Sequence, residues 1–155
     1  MKLLVTDESA RLARWLRLMG YDTAEMSARP LSALYRRAYN EQRVVGTRNA
    51  RVRESHLFRV VHLKDQVLDL QLRQLMQELG LRVDEERAFR RCDHCNVEVV
   101  PIDKAAVKDR VPPYVFQTQQ AFHHCSSCHR VYWAATHWER ACRFFDRLRR
   151  EASHA

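Results

Sequence analysis

Two pairs of cysteines carry the strongest chemical signal in the chain: Cys92-Asp93-His94-Cys95 and Cys125-Ser126-Ser127-Cys128, with 29 residues between them. A two-residue spacer lets both thiolates of a pair converge on one point while nearby backbone amides offset their charge. Two such knuckles close a tetrahedron around Zn²⁺ with metal–sulfur bonds of about 2.3 Å. Four protein ligands leave no coordination position open, so a zinc ion held by Cys92, Cys95, Cys125 and Cys128 would be structural. An iron–sulfur cluster would use the same four sulfurs. A redox C-x-x-C needs only one pair, at the N-terminus of a helix in a thioredoxin-like sheet. His94, His123, His124 and His129 crowd the knuckles as substitute ligands or outer groups. The fifth cysteine, Cys142, falls on the apolar face of a helical pattern and is expected to pack.

The elements around these residues follow from periodicity. Residues 2–6 form a short apolar run, expected as a buried strand. From Glu8 to Met19 the apolar residues Leu12, Trp15, Leu16 and Met19 recur at helical spacing, and Gly20 supplies a C-terminal stop. A strand fits Tyr21–Met26 and a helix opens at Pro30 and Ser32. Arg43–Thr47 and Phe58–Leu63 are further strands. Asp65 is placed to cap a helix running through Leu79 to Gly80. Strands alternating with helices over short connections predict a parallel sheet covered by helices on both faces. Residues 1–84 are therefore expected as an α/β domain, and 85–155 as a zinc ribbon followed by a C-terminal helix. On that helix Trp138, Ala141, Cys142, Phe145 and Leu148 share a face, and Pro112-Pro113 mark a turn between the knuckles.

The chain has 155 residues, 27 Lys+Arg against 19 Asp+Glu, and a formal net charge of +8. All but four of the basic residues are arginines, whose planar fork pairs bidentately with phosphate and stacks on bases. The stretch after residue 86 is the more basic, at net +5 against +3 before it. No apolar run approaches the ~20 residues that span a bilayer, so no membrane role is expected. Asp7 and Glu8 cut short the opening apolar stretch, which therefore lacks the form of a secretory signal. Cysteines arranged for metal belong to a reducing compartment, and the expected location is cytoplasmic.

With the knuckles set beside the opening segment, the chain resembles the mut-seven C-terminal RNase domain family. The resemblance rests on Arg14-Trp15-Leu16-Arg17 with Gly20-Tyr21-Asp22, on Arg91-Cys92-x-x-Cys95-Asn96 and on Val111-Pro112-Pro113. It is completed by Cys125-x-x-Cys128 with Val131-Tyr132-Trp133 and His137-Trp138. It covers nearly the whole chain and implies a PIN-like parallel sheet joined to a zinc ribbon, with RNA as substrate class. PIN-like nucleases cluster acids at the C-terminal ends of parallel strands, where Mg²⁺ or Mn²⁺ activates water against a phosphodiester.

Asp7 matches the family's first acid, with Glu8 beside it. Where the family carries an Asp after Thr-Arg, this chain has Thr47-Arg48-Asn49. Where a second acid opens the helix before that strand, it has Arg29-Pro30-Leu31-Ser32. The residues set out as the catalytic candidates are thus Asp7, Glu8, Asn49 and Asp22, with Asp65 near a strand end as well. Arg11, Arg14, Arg17, Arg48, Arg51, Arg91, Arg130 and Trp133 are the RNA-binding candidates. Two readings follow: a metal-dependent endoribonuclease with a depleted acidic site, or a non-catalytic RNA-binding or ribosome-associated zinc-ribbon protein.

Overall fold

The computed structural model describes residues 1–84, 86–134 and 136–152, the last stretch by its backbone alone at 136–138 and 152. The described chain divides into two compact units, Met1–Phe89 and a second from Arg90 onward.

The first unit is an α/β layer structure. Strands β1 (Lys2–Thr6), β2 (Asp22–Met26), β3 (Arg43–Thr47) and β4 (Val60–His62) form one parallel sheet in the order β2-β1-β3-β4. Helices α1 (Ala10–Leu18) and α2 (Leu31–Asn40) make the crossovers from β1 to β2 and from β2 to β3, and α3 (Leu68–Leu79) follows β4. Successive strand residues point to opposite faces. Leu4, Ala24, Val45 and Val60 accordingly pack with Leu34 and Ala38 of α2. Leu3 and Val5 are as deeply buried on the other face, where α1 lies against β1, β2 and α3. Leu12 and Leu16 of α1 and Leu72 and Leu75 of α3 are buried there.

Several boundaries differ from the sequence expectation for local reasons. The chain leaves β1 through a 3-10 turn, Asp7–Ser9, before α1 begins at Ala10. Asp65 is no helix cap: its Oδ1 accepts the Val67 N–H at 2.7 Å, and α3 starts one residue beyond. Gly80 takes the left-handed conformation (φ 66°) that ends α3. Residues 86–89 group with the first unit. The Phe89 N–H donates to the Leu18 carbonyl at 2.7 Å, and Arg87 lies over Gly20.

At the N-terminal edge of the sheet, Arg43 is buried. Its guanidinium donates to the Leu3 carbonyl at 3.0 Å, to Asp22 Oδ1 at 2.7 Å and to Glu41. Burial alone would lower its pKa, but its bonds to Asp22 and Glu41 outweigh that and raise it.

The second unit holds a small antiparallel sheet of β5 (Val100–Ile102), β6 (Phe122–His124) and β7 (Val131–Tyr132), in that order. Pro112-Pro113 open the short helix α4 (Pro113–Thr118), proline being suited to a first helical turn that needs no N–H. Val107, Val111, Val115 and Phe122 form the core of this unit, with Trp133 packed against it. Helix α5 (Thr136–Ala152) buries Ala141, Phe145 and Leu148. The side chains of His137 and Trp138 lie outside the described residues.

Candidate functional site

The cysteine knuckles are built alike. The Asn96 N–H donates to the Cys92 carbonyl, and the His129 N–H to the Cys125 carbonyl, both at 2.9 Å. The first cysteine of each pair donates its own N–H two residues past the second, to Val97 and to Arg130. Closing so tight a loop drives the residue after the second cysteine into the left-handed region, at Asn96 (φ 69°) and at His129 (φ 62°). Asn tolerates that conformation and His visits it more often than most residues.

Together the knuckles bring the four sulfurs within 4.8 Å of one another, with Cys92 and Cys128 at 3.7 Å. A tetrahedral zinc site with bonds of about 2.3 Å requires sulfur separations of about 3.8 Å. Cys92 and Cys125 are fully buried.

Two of the four thiols, Cys125 and Cys128, are shifted from their ordinary acidity, in opposite directions. Burial pushes the Cys125 thiol up, but the backbone N–H groups of Cys128 and Ser127 outweigh it and bring its pKa down to about 7. Cys128 is pushed up by burial and by the sulfurs of Cys95, Cys92 and Cys125. Four sulfurs this close cannot all be thiolates without a cation among them. The site could hold a zinc ion, and the donor set fits one.

Beside it, the Tyr132 hydroxyl lies 2.9 Å from Cys92 Sγ and 2.9 Å from Oδ1 of the buried Asp93. Burial, with Cys92 and Asp93 adjacent, raises the phenol's pKa, so the group keeps its proton. Spacing rules single out neither residue, because β7 must pair with β6 before Tyr132 can meet Cys92.

A second site lies between the C-terminal ends of β1 and β3, where the chain leaving β1 runs toward β2 on one side and the chain leaving β3 runs toward β4 on the other. Such a topological switch point opens a crevice in parallel sheets. Asp7 and Glu8 follow β1 there, and Thr47, Arg48 and Asn49 end β3. The crevice is bridged from within. Glu8 Oε1 accepts hydrogen bonds from the Arg48 N–H at 2.9 Å, from Thr47 Oγ1 at 3.0 Å and from Thr6 Oγ1. Thr6 and Thr47, both buried, lie 2.7 Å apart. Partial burial pushes the Glu8 carboxyl up, but the hydrogen bonds of Thr6, Arg48, its own backbone and Thr47 together bring its pKa below the usual value. Asp7 is exposed. Asn49 is spent on its own loop, its Oδ1 accepting the Arg51 N–H at 3.0 Å.

The structure places three further candidates from sequence as follows. Asp22 sits beside Lys2 at the start of its strand, about 13 Å down the sheet from the end of β1, and is held there by Arg43. It cannot share an ion with Asp7. Arg17 is 5% exposed, its Nε on the Thr23 carbonyl at 2.8 Å, so its head group faces the sheet and not solvent. Trp133 packs on Phe122, with ring centroids 6.4 Å apart.

Arg91 is half-buried, donating to the Asn96 carbonyl at 2.8 Å inside the first knuckle. Arg11, Arg14, Arg48, Arg51 and Arg130 are exposed. Arg53, which follows them after β3, is exposed too, as is Tyr114 at 68%, an aromatic the motifs do not mark.

Among the described residues, the four cysteines form the one group of three or more metal-binding side chains close enough to share an ion. The residues at the switch point do not fit a Mg²⁺ or Mn²⁺ ion. Among the described residues there, Asp7 is the one carboxylate of the pair not engaged across the strands, and the two positions where further acids are expected carry none. Among the described residues, no helix is long and apolar enough to cross a membrane.

Neither the curated proteins nor the solved structures contain a match to this chain. The model of one family, the Mut7-C RNAse domain, matches residues 1–145. The shared motifs, the parallel sheet with its switch point and the four-cysteine centre thus have one common account: the chain belongs to the Mut7-C RNase domain family.

Proposed function

We propose that this protein binds RNA through a PIN-like unit and a zinc-stabilised ribbon, without cleaving it at the β1–β3 crevice. The observation that carries the reading is the Glu8 carboxylate, which joins β1 to β3 through Thr6, Thr47 and the Arg48 N–H. A carboxylate engaged in that way stabilises the strand ends and leaves Asp7 as a lone ligand. Hydrolysis of a phosphodiester by divalent ions needs the ion held by several oxygens.

RNA as the partner is supported by family membership, by the +8 charge and by the exposed arginines that leave this edge at Arg11, Arg48, Arg51 and Arg53. The zinc, enclosed by four sulfurs, has no position for a reacting water. Its role is to hold the ribbon together.

The rival reading, a metal-dependent ribonuclease, is favoured by one feature: Asp7 is exposed at the switch point. Incubating RNA with and without Mn²⁺ separates the two, comparing wild type, Asp7→Ala and Asn49→Asp. Salt-sensitive binding with no cleavage by wild type is the expected result. Cleavage that appears only in Asn49→Asp would mark a disabled nuclease site. Mn²⁺-dependent cleavage by wild type, abolished in Asp7→Ala, would overturn the proposal.

A further inference from the structure

Helix α5, in the second unit, carries a basic surface of its own. Five arginines fall between positions 140 and 150, and the structure divides them. Arg149 is half-buried and lies 3.4 Å from Asp146. Arg140, Arg143, Arg147 and Arg150 are exposed. At 100° per residue these four occupy an arc of about 80°, across the helix from the buried Ala141, Phe145 and Leu148. They extend over about 15 Å of helix axis. The Arg147 guanidinium stacks on Phe144, 5.2 Å from the ring centroid, a contact that orients its plane. Glu139, Asp146 and Glu151 are exposed along the margins of this arc, each four residues from one of its arginines.

We propose that this face of α5 docks along the phosphate backbone of RNA. The proposal rests on the RNA-binding reading above and gives it a specific surface. All four cations are arginines, whose forked donors match phosphate oxygens in pairs. An anionic membrane is a poor occupant, since surface helices anchor by exposed apolar side chains. Among the described residues of α5, no large hydrophobic side chain is exposed.

The test uses the full chain loaded with zinc and a labelled single-stranded oligoribonucleotide, with affinity measured over a range of salt. Replacing Arg140, Arg143, Arg147 and Arg150 together by Gln should weaken binding at least tenfold at low salt. It should also flatten the plot of log K against log[salt] by about 3, since each lost phosphate contact removes about 0.7. The corresponding Lys variant should keep the slope and lose affinity.

If the quadruple Gln variant loses helical circular dichroism, the pairs Arg140→Gln/Arg143→Gln and Arg147→Gln/Arg150→Gln carry the test, each with about half the change in slope. Wild type that binds RNA, with Gln variants that bind it with equal affinity and slope, would overturn this surface while leaving the RNA reading intact. Wild type that binds no RNA would overturn both. Capture on phosphatidylserine vesicles in place of RNA would show a lipid surface and refute the proposal.

Discussion

A carboxylate that accepts three hydrogen bonds through one oxygen is held in its charged form, and Glu8 is such a group. Its folded pKa lies below the ordinary 4.5, so its contribution to stability is complete above pH 4.5 and is lost as pH falls through the folded value. Glu8→Gln is expected to cost about 1 kcal/mol at pH 7, the partial exposure of the group keeping the figure modest. Urea unfolding of both proteins should show this gap closing below pH 4.5, and taking the difference cancels the acid sensitivity of the cysteine site. Tyr132 allows a second prediction at this scale. Its hydroxyl donates its one proton to Asp93 Oδ1 and lies 2.9 Å from Cys92 Sγ, so it packs the first knuckle against β7. Tyr132→Phe should lower zinc affinity about 10- to 100-fold in a chelator competition, with cysteine content and fold unchanged.

At the scale of elements, the turn after α1 depends on a glycine. Gly20 has φ +94°, and a Cβ there would overlap the Arg87 carbonyl oxygen and side chain. Gly20→Ala combines backbone strain with a clash against main chain and should cost at least about 2 kcal/mol, measured by chemical denaturation. Gly80 is a useful contrast. Its φ is also positive, but a Cβ added there would meet nothing within 4 Å, so Gly80→Ala should cost only the backbone term, about 1 kcal/mol. Both glycines were legible in the sequence as helix stops. That Gly20 also receives the segment around Arg87 was not, because the close approach joins residues far apart in the chain.

For the whole molecule, zinc dependence should be confined to one unit. The first unit has its own apolar core on both faces of the sheet, whereas the cluster beside the knuckles, Val107, Val111, Val115 and Phe122, is small. In small modules of this kind metal binding supplies much of the folding free energy. Removing the metal with a strong chelator at neutral pH should abolish protection of the second unit in hydrogen exchange while leaving β1, β3 and α1 protected. Loss of protection in both units together would show that they unfold as one.

The sequence by itself determined what depends on near neighbours. The C-x-x-C spacing defined the four sulfurs, since a two-residue spacer forms its knuckle from local backbone geometry alone. Helical periodicity placed α1 and α3, and glycine ended them. Tertiary structure decided what depends on which strand lies beside which. Parallel pairing of β1 with β2 put Asp22 at the far end of the sheet from Asp7, a separation no local pattern encodes. Pairing of β1 with β3 set Glu8 against Thr47, so that a residue expected as a metal ligand also bridges the strand ends. Arg17 followed the same rule. Its place on an arginine-bearing helix marked it for solvent, but the arrival of β2 supplied the Thr23 carbonyl that draws it inside.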